Sequence, residues 1–182
     1  MALTGRLLVA TPLLGDENFR RAVVLLIDHG PAGAFGVVLN RPSDQEVSSV
    51  LPVWQPLASP PAVLFVGGPV AADSALALAA AAPGTDPLGW RAVSGILGLV
   101  DLDTPAELLT DGLHAVRVFA GYAGWGAGQL EGEIAQGAWY VVDADPADPF
   151  SPDPQALWRA VLRRQPGDLA MVASFPDDPS LN

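Results

Sequence analysis

Few stretches of this sequence combine residue types and spacings that could do chemistry. The densest is Gly121-Tyr122-Ala123-Gly124-Trp125-Gly126-Ala127-Gly128, followed by Gln129-Leu130-Glu131. Read as a bend leaving a strand and entering a helix, it would turn backbone N–H groups toward an anion at a helix N-terminus. The spacing is not G-x-G-x-x-G, because Gln129 stands at the last glycine position. Glu131 and Glu133 also fall in the first turn, where their charge competes with phosphate. A tight turn with Trp125 packed over it is therefore favoured over an anion cradle.

The second stretch is Asn40-Arg41-Pro42, at the end of an apolar run. Arg41 could clamp a carboxylate or phosphate bidentately. Equally, Asn40 could take a turn geometry and Arg41 pair with a surface acid, and both readings stay open. Gly67-Gly68-Pro69 lets the chain turn, or lets a ligand approach the backbone. His29 and His114 lack zinc-helix spacing, and no G-x-S-x-G surrounds a serine, so both read as surface or capping imidazoles. Asp101/Asp103, Asp143/Asp145/Asp148 and Asp177/Asp178 lack EF-hand spacing and read as solvated turns, with magnesium as the minor alternative.

Composition removes whole classes of chemistry. The 182 residues include no cysteine, two histidines and nine cations, all arginine, for a net charge of −11. Without lysine there is no P-loop lysine and no Schiff base; without cysteine there is no thiol nucleophile, disulfide or Cys-ligated metal. No metal and no cofactor are expected. Residues 92–182 hold thirteen acids against four arginines, so direct binding to nucleic acid or an anionic membrane is not expected. No apolar run reaches the ~20 residues of a membrane span, and the N-terminus lacks a signal-peptide pattern. A cytoplasmic chain folding as one domain over residues 1–182 is expected, with its oligomeric state open.

The elements that must position these groups follow from apolar patterning. Strands are expected at 7–10, 63–66, 75–82, 90–100 (broken by Gly95 and Gly98), 115–121 and 138–142, with a hairpin over 22–40 closed by a five-residue loop. Ser43 and Glu46 form a capping-box pattern that predicts a short helix up to Pro52, and four prolines predict a loop over 52–61. Thr104-Pro105-Ala106-Glu107 predicts a helix ending at Gly112. Helices are also expected near 127–136 and after Asp153-Pro154, the latter burying Leu157, Trp158, Val161 and Leu162. Residues 175–182 read as turns. The order is neither strict βαβ nor all-β and argues for an α+β fold with a mixed sheet.

Several of these stretches together resemble one family. They are residues 5–12, with Asp16, Phe19 and the 23–26 strand; residues 33–42, ending in Asn40-Arg41-Pro42; Gly67-Gly68-Pro69-Val70; and Phe119 to Glu131, followed by Trp139. This combination is similar to the AlgH/YqgE family of bacterial proteins over about residues 5–165, while residues 169–182 depart from many members. The resemblance implies an α+β domain with a mixed, barrel-like sheet flanked by helices, a cytoplasmic location and, through one branch, an association with transcriptional regulation. It supplies no catalytic residues. The expectation is a non-enzymatic regulatory or interaction domain acting through a protein partner. The alternative is a small-molecule-binding protein or enzyme with a loop site of Asn40, Arg41, Gly124, Trp125, Gly126 and Gly128.

Overall fold

The computed structural model describes residues 2–177. Ten strands are β1 (Leu7–Ala10), β2 (Val23–Gly30), β3 (Gly33–Val38), β4 (Pro42–Glu46), β5 (Val63–Val66), β6 (Val70–Ala81), β7 (Trp90–Ser94), β8 (Leu97–Val100), β9 (Leu113–Gly126) and β10 (Trp139–Val142). Two helices, α1 (Gln129–Ala135) and α2 (Leu157–Arg163), and several 3₁₀ turns complete them. The strands form a sheet in the order β10-β1-β2-β3-β9-β6-β8-β7, with β4 and β5 branching off at β9. All pairings are antiparallel except β5 against β9, so the sheet is mixed, and it curls into a half-barrel. This is the expected α+β class. Among the described residues no helix is long and apolar enough to cross a membrane.

Continuous apolar runs arise where both faces of the sheet are covered. Leu7, Val9, Val23 and Leu25 face a core closed by Leu157, Trp158, Val161 and Leu162 of α2, the predicted stripe. Their alternates Leu8, Ala10, Val24 and Leu26 face a second core holding Trp125, Leu130 and Trp139. The 14-residue strand β9 is the spine, pairing with β6 over Leu113–Tyr122 and with β3 over Ala123–Gly126. At the changeover stands Gly121, with φ +73°. A Cβ there would lie 2.6 Å from the Gly68 carbonyl oxygen, and one on Gly67 would lie 2.3 Å from the Gly121 carbonyl oxygen. The two glycine motifs thus pack backbone on backbone.

Several local expectations are corrected. The 22–40 hairpin is present, but two residues, Pro31 and Ala32, close it instead of five. The helix expected between Ser43 and Pro52 shrinks to one 3₁₀ turn at Val47–Ser49; residues 43–46 belong to β4, where Pro42 and Glu46 pair with β5 across an irregular stretch, and the Ser43 hydroxyl accepts from the Gln45 N–H in a local turn. Residues 52–57 are a 3₁₀ turn within the predicted loop, because the Trp54 indole is buried there and donates to the Leu102 carbonyl at 3.1 Å. The helix predicted from Thr104 shrinks to one 3₁₀ turn at Ala106–Leu108, since Pro105 is extended (ψ 119°) and β9 begins at Leu113. Residues 90–100 form a hairpin turning at Gly95 and Ile96. Finally, 121–126 is strand and not a bend: cross-strand pairing to β3 and β6 outweighs the glycines' weak strand propensity. Gly167–Ser174 is a 3₁₀ helix, and the expectation for residues 178–182 lies outside the described residues.

Buried Arg117 had no distinctive signal in the sequence. It is 1% exposed, lies 4.2 Å from the Phe65 ring centroid and donates to the carbonyls of Ser59, Pro60, Pro149 and Ser151. Burial pushes its pKa down to about 10.

Candidate functional site

The concave surface beside the spine holds a cleft of about 670 Å³. Its floor comes from Gly33–Phe35 of β3 and from Tyr122, Gly124 and Trp125 of β9. Phe35 and Tyr122 meet edge to face at 5.9 Å. Its rim is made by β6. Between Val70, paired with Tyr122, and Ala75, paired with Ala120, the strand leaves the ladder, and Ala71 takes a left-handed φ of 48°. That arc brings Ala71 and Ser74 over the cleft, opposite Asp28. A local shift in the β2–β3 register lies between Leu26 and Asp28, at the cleft's edge.

Two further hollows adjoin it. One of about 650 Å³ shares Leu76 and is lined by Trp90, Arg91 and Asp101–Asp103. One of about 350 Å³ shares Asp28 and Phe35 and is lined by Thr4, Arg91 and Val93. Arg91 therefore lines both flanking hollows; it is exposed, and its guanidinium makes no hydrogen bond or ion pair among the described residues. The trough offers aromatic and aliphatic walls, one arginine, the carboxylates of Asp28, Asp101 and Asp103, and the hydroxyls of Ser74 and Tyr122. Such a surface suits a small amphipathic molecule.

Of the residues singled out from sequence, Gly124 and Trp125 line this cleft. The Trp125 ring itself is stacked on Phe19 at 6.1 Å and packs edge to face with Trp139 at 6.2 Å. Both indoles donate to Glu133 Oε1, Trp125 at 3.2 Å and Trp139 at 3.1 Å. The Gly126 N–H is taken by Gln129 Oε1 at 3.0 Å, and Gly128 is the left-handed N-cap of the seven-residue α1. Those amides are thus not gathered around an anion.

Asn40 and Arg41 lie elsewhere and line none of these hollows. Asn40 Oδ1 accepts from the Val23 N–H at 3.0 Å while its Nδ2 donates to the Arg21 carbonyl at 2.8 Å. Arg41 donates to the carbonyls of Glu17 at 2.9 Å and Arg20 at 2.7 Å. Desolvation by burial lowers its pKa. The two halves of the sequence-derived loop site thus line no common hollow among these three, while Phe19, in the loop that Arg41 braces, stacks on Trp125. The Asn-Arg pair instead fixes the 16–21 loop, where Arg21 is held at φ 58°.

The histidines and acids behave differently from one another. His29 is not a surface group: its side chain is 7% exposed, Nδ1 accepts from the Leu3 N–H at 3.0 Å, and Nε2 lies 2.5 Å from Glu131 Oε1. Its ring is thus engaged at both nitrogens. His114 lies exposed on β9 and not at a helix end. Asp101 and Asp145 accept from nearby N–H groups as turn residues do, and Asp148 forms an ion pair with Arg164 at 2.5 Å. No group of three or more potential metal ligands occurs among the described residues. Arg91, Phe35, Leu76 and Tyr122 escaped sequence reasoning because their convergence depends on strand register.

A family model described as AlgH-like matches residues 7–170. A UPF0301 protein of Streptomyces coelicolor is 60% identical, covering 100% of this chain and 96% of its own length. A UPF0301 protein of Mycobacterium tuberculosis is 46% identical over 98% of this chain and 90% of its own. The crystal structure of a Corynebacterium diphtheriae protein superposes with a TM-score of 0.91 at 35% identity, covering 95% of this chain and 92% of that one. The solution structure of the AlgH protein from Pseudomonas aeruginosa gives 0.72 at 32% identity, covering 96% and 94%. With the half-barrel, the glycine crossing and the Asn-Arg loop brace all in place, the chain belongs to the AlgH-like family.

Proposed function

We propose that this protein is a non-enzymatic, cytoplasmic regulatory domain whose trough binds a small amphipathic anion. The carrying observation is the sharing of Arg91 and of the Phe35–Leu76 wall among adjoining hollows. The apolar body of the ligand would lie across Phe35, Leu76 and Tyr122, and its anionic end would meet the unpaired guanidinium of Arg91. The trough lacks the arrangement of a nucleophile activated by a base: both imidazoles lie outside its lining, and His29 is engaged at both nitrogens. A protein partner would then read the ligand-bound state, since a net charge of −11 disfavours contact with nucleic acid.

Thermal-shift measurements against aromatic carboxylates, nucleoside monophosphates and sugar phosphates test the reading. A ligand at one hundred times its Kd adds about 2.7 kcal/mol of stability. A hit lost in both Arg91→Ala and the trough-blocking Ser74→Trp supports the site. Absence of any hit, or hits retained in both variants, overturns it.

A further inference from the structure

Arginine is scarce in this acidic chain, yet Arg20, Arg21 and Arg159 meet at one place outside the trough lining. Arg21 lays its guanidinium 4.0 Å from the centroid of the Trp158 ring, and Arg159 lies 5.7 Å from the same ring. Trp158 is anchored in turn by donating Nε1 to the Ala10 carbonyl at 2.9 Å. The three guanidinium groups hold peptide. Arg159 donates to the carbonyls of Ala173 and Phe175, Arg21 to that of Pro176, and Arg20 to that of Asp177. Arg159 also pairs with the Asp177 carboxylate at 2.7 Å.

Two features exceed what fastening a tail requires. Arg21 Nη1 is buried with no hydrogen-bond partner among the described residues. The Arg21 backbone is left-handed, a conformation costly to a residue with a side chain, and Asn40 and Arg41 bond the loop carbonyls that hold it so. The site is thus braced from behind by the Asn40 and Arg41 bonds to the loop carbonyls. The occupant's one charged group faces solvent: the Asp177 side chain is 90% exposed. Beyond the 3₁₀ helix, the acceptors Phe175, Pro176 and Asp177 are successive main-chain carbonyls with one carboxylate, as an extended peptide presents them; a phosphate would cluster its oxygens on one atom.

We propose that the Arg20–Arg21–Arg159 cluster over Trp158 binds an extended acidic segment of a partner protein, and that the chain's own residues 175–177 occupy it as a competing ligand. A net charge of −11 disfavours such a segment on most of the surface, and three arginines converge at this cluster. None of the three arginines lines the trough, so the outcome here is independent of the ligand-binding reading.

The test uses the full chain and a fluorescein-labelled peptide with the sequence of residues 174–182, followed by anisotropy. Asp177→Asn weakens the resident tail and tightens peptide binding by about fivefold, the scale of an exposed ion pair. Arg159→Gln weakens binding by at least as much. Arg20→Gln also weakens it without lowering Tm, because the exposed Arg20 side chain bonds only the tail. Equal affinity in wild type and Asp177→Asn, no binding by either, or undiminished binding by Arg159→Gln overturns the proposal. Displacement of the peptide by millimolar inorganic phosphate also overturns it, by identifying a general anion site.

Discussion

Asn40 and Arg21 are joined side chain to backbone: Asn40 Nδ2 donates to the Arg21 carbonyl at 2.8 Å, and Arg21 stands at φ 58°. Because Asn40 Oδ1 also accepts from the Val23 N–H, one amide ties the end of β3 to both the loop and the start of β2. Asn40, for which the sequence left a ligand contact and a structural role both open, thus acts as a brace, and what it braces is an arginine in a strained conformation. Non-glycine residues pay about 1–2 kcal/mol for left-handed backbone. Arg21→Gly and Arg21→Ala remove the same interactions with Trp158 and Pro176. The glycine variant is expected to be the more stable by about 1 kcal/mol in urea denaturation. Equal stability would show that the backbone there is unstrained.

Gly121 and Gly128 make a second matched pair. Both have positive φ, +73° and +74°, but a Cβ at Gly121 meets the Gly68 and Val70 carbonyl oxygens at 2.6 and 2.9 Å while one at Gly128 meets open space. Gly128→Ala carries only the strain, about 1 kcal/mol. Gly121→Ala must also separate β9 from the 67–70 segment, and is expected to lose more than ~3 kcal/mol or to fail to fold. A Gly121→Ala variant as stable as Gly128→Ala would remove the backbone crossing from the account of this fold.

These pairs also show what was legible in the sequence. The strands with continuous apolar runs and the α2 stripe were readable because burial on both faces, or on one helical face, leaves a pattern in residue type. The glycines of 121–128 misled because a glycine needed for close approach inside a strand looks the same as one needed for a bend. The capping pattern at Ser43 and Glu46 failed because pairing with β5 competes for the same backbone groups. The trough was invisible: Arg91 and Asp28 are 63 positions apart in sequence, and only the β6–β8–β7 path and the curl of the sheet bring them to one hollow.

The His29–Glu131 contact sets a limit on acid stability. The hydrogen bond from His29 holds the Glu131 carboxyl below its ordinary value of 4.5. A carboxyl depressed in the native state binds fewer protons there than in the unfolded chain. Its contribution is present above pH 4.5 and fades as pH falls through the native value. Glu131→Gln removes that ionisation. Wild type is expected to be the more stable at neutral pH, with the two stability curves converging as pH falls below 4.5. Curves that stay parallel through this range would show that the pair carries no linked proton.

Arg117 gives the sharpest contrast in sign. Its guanidinium serves four carbonyls from two loops without an acidic partner, so truncation leaves those acceptors to find water or remain bare. Arg117→Ala is expected to lose about 1–3 kcal/mol, the scale of leaving buried acceptors unsatisfied. Burial lowers the native pKa to about 10, below the ordinary guanidinium value, so between the two the unfolded chain binds more protons, and stability from this group rises with pH. Below 10 both states are fully protonated and the cost of burying the charge is constant. Urea titrations across the neutral range should therefore show a constant difference between wild type and Arg117→Ala. A difference that changes steadily through neutral pH would place the titration on another group and overturn this account of the buried arginine.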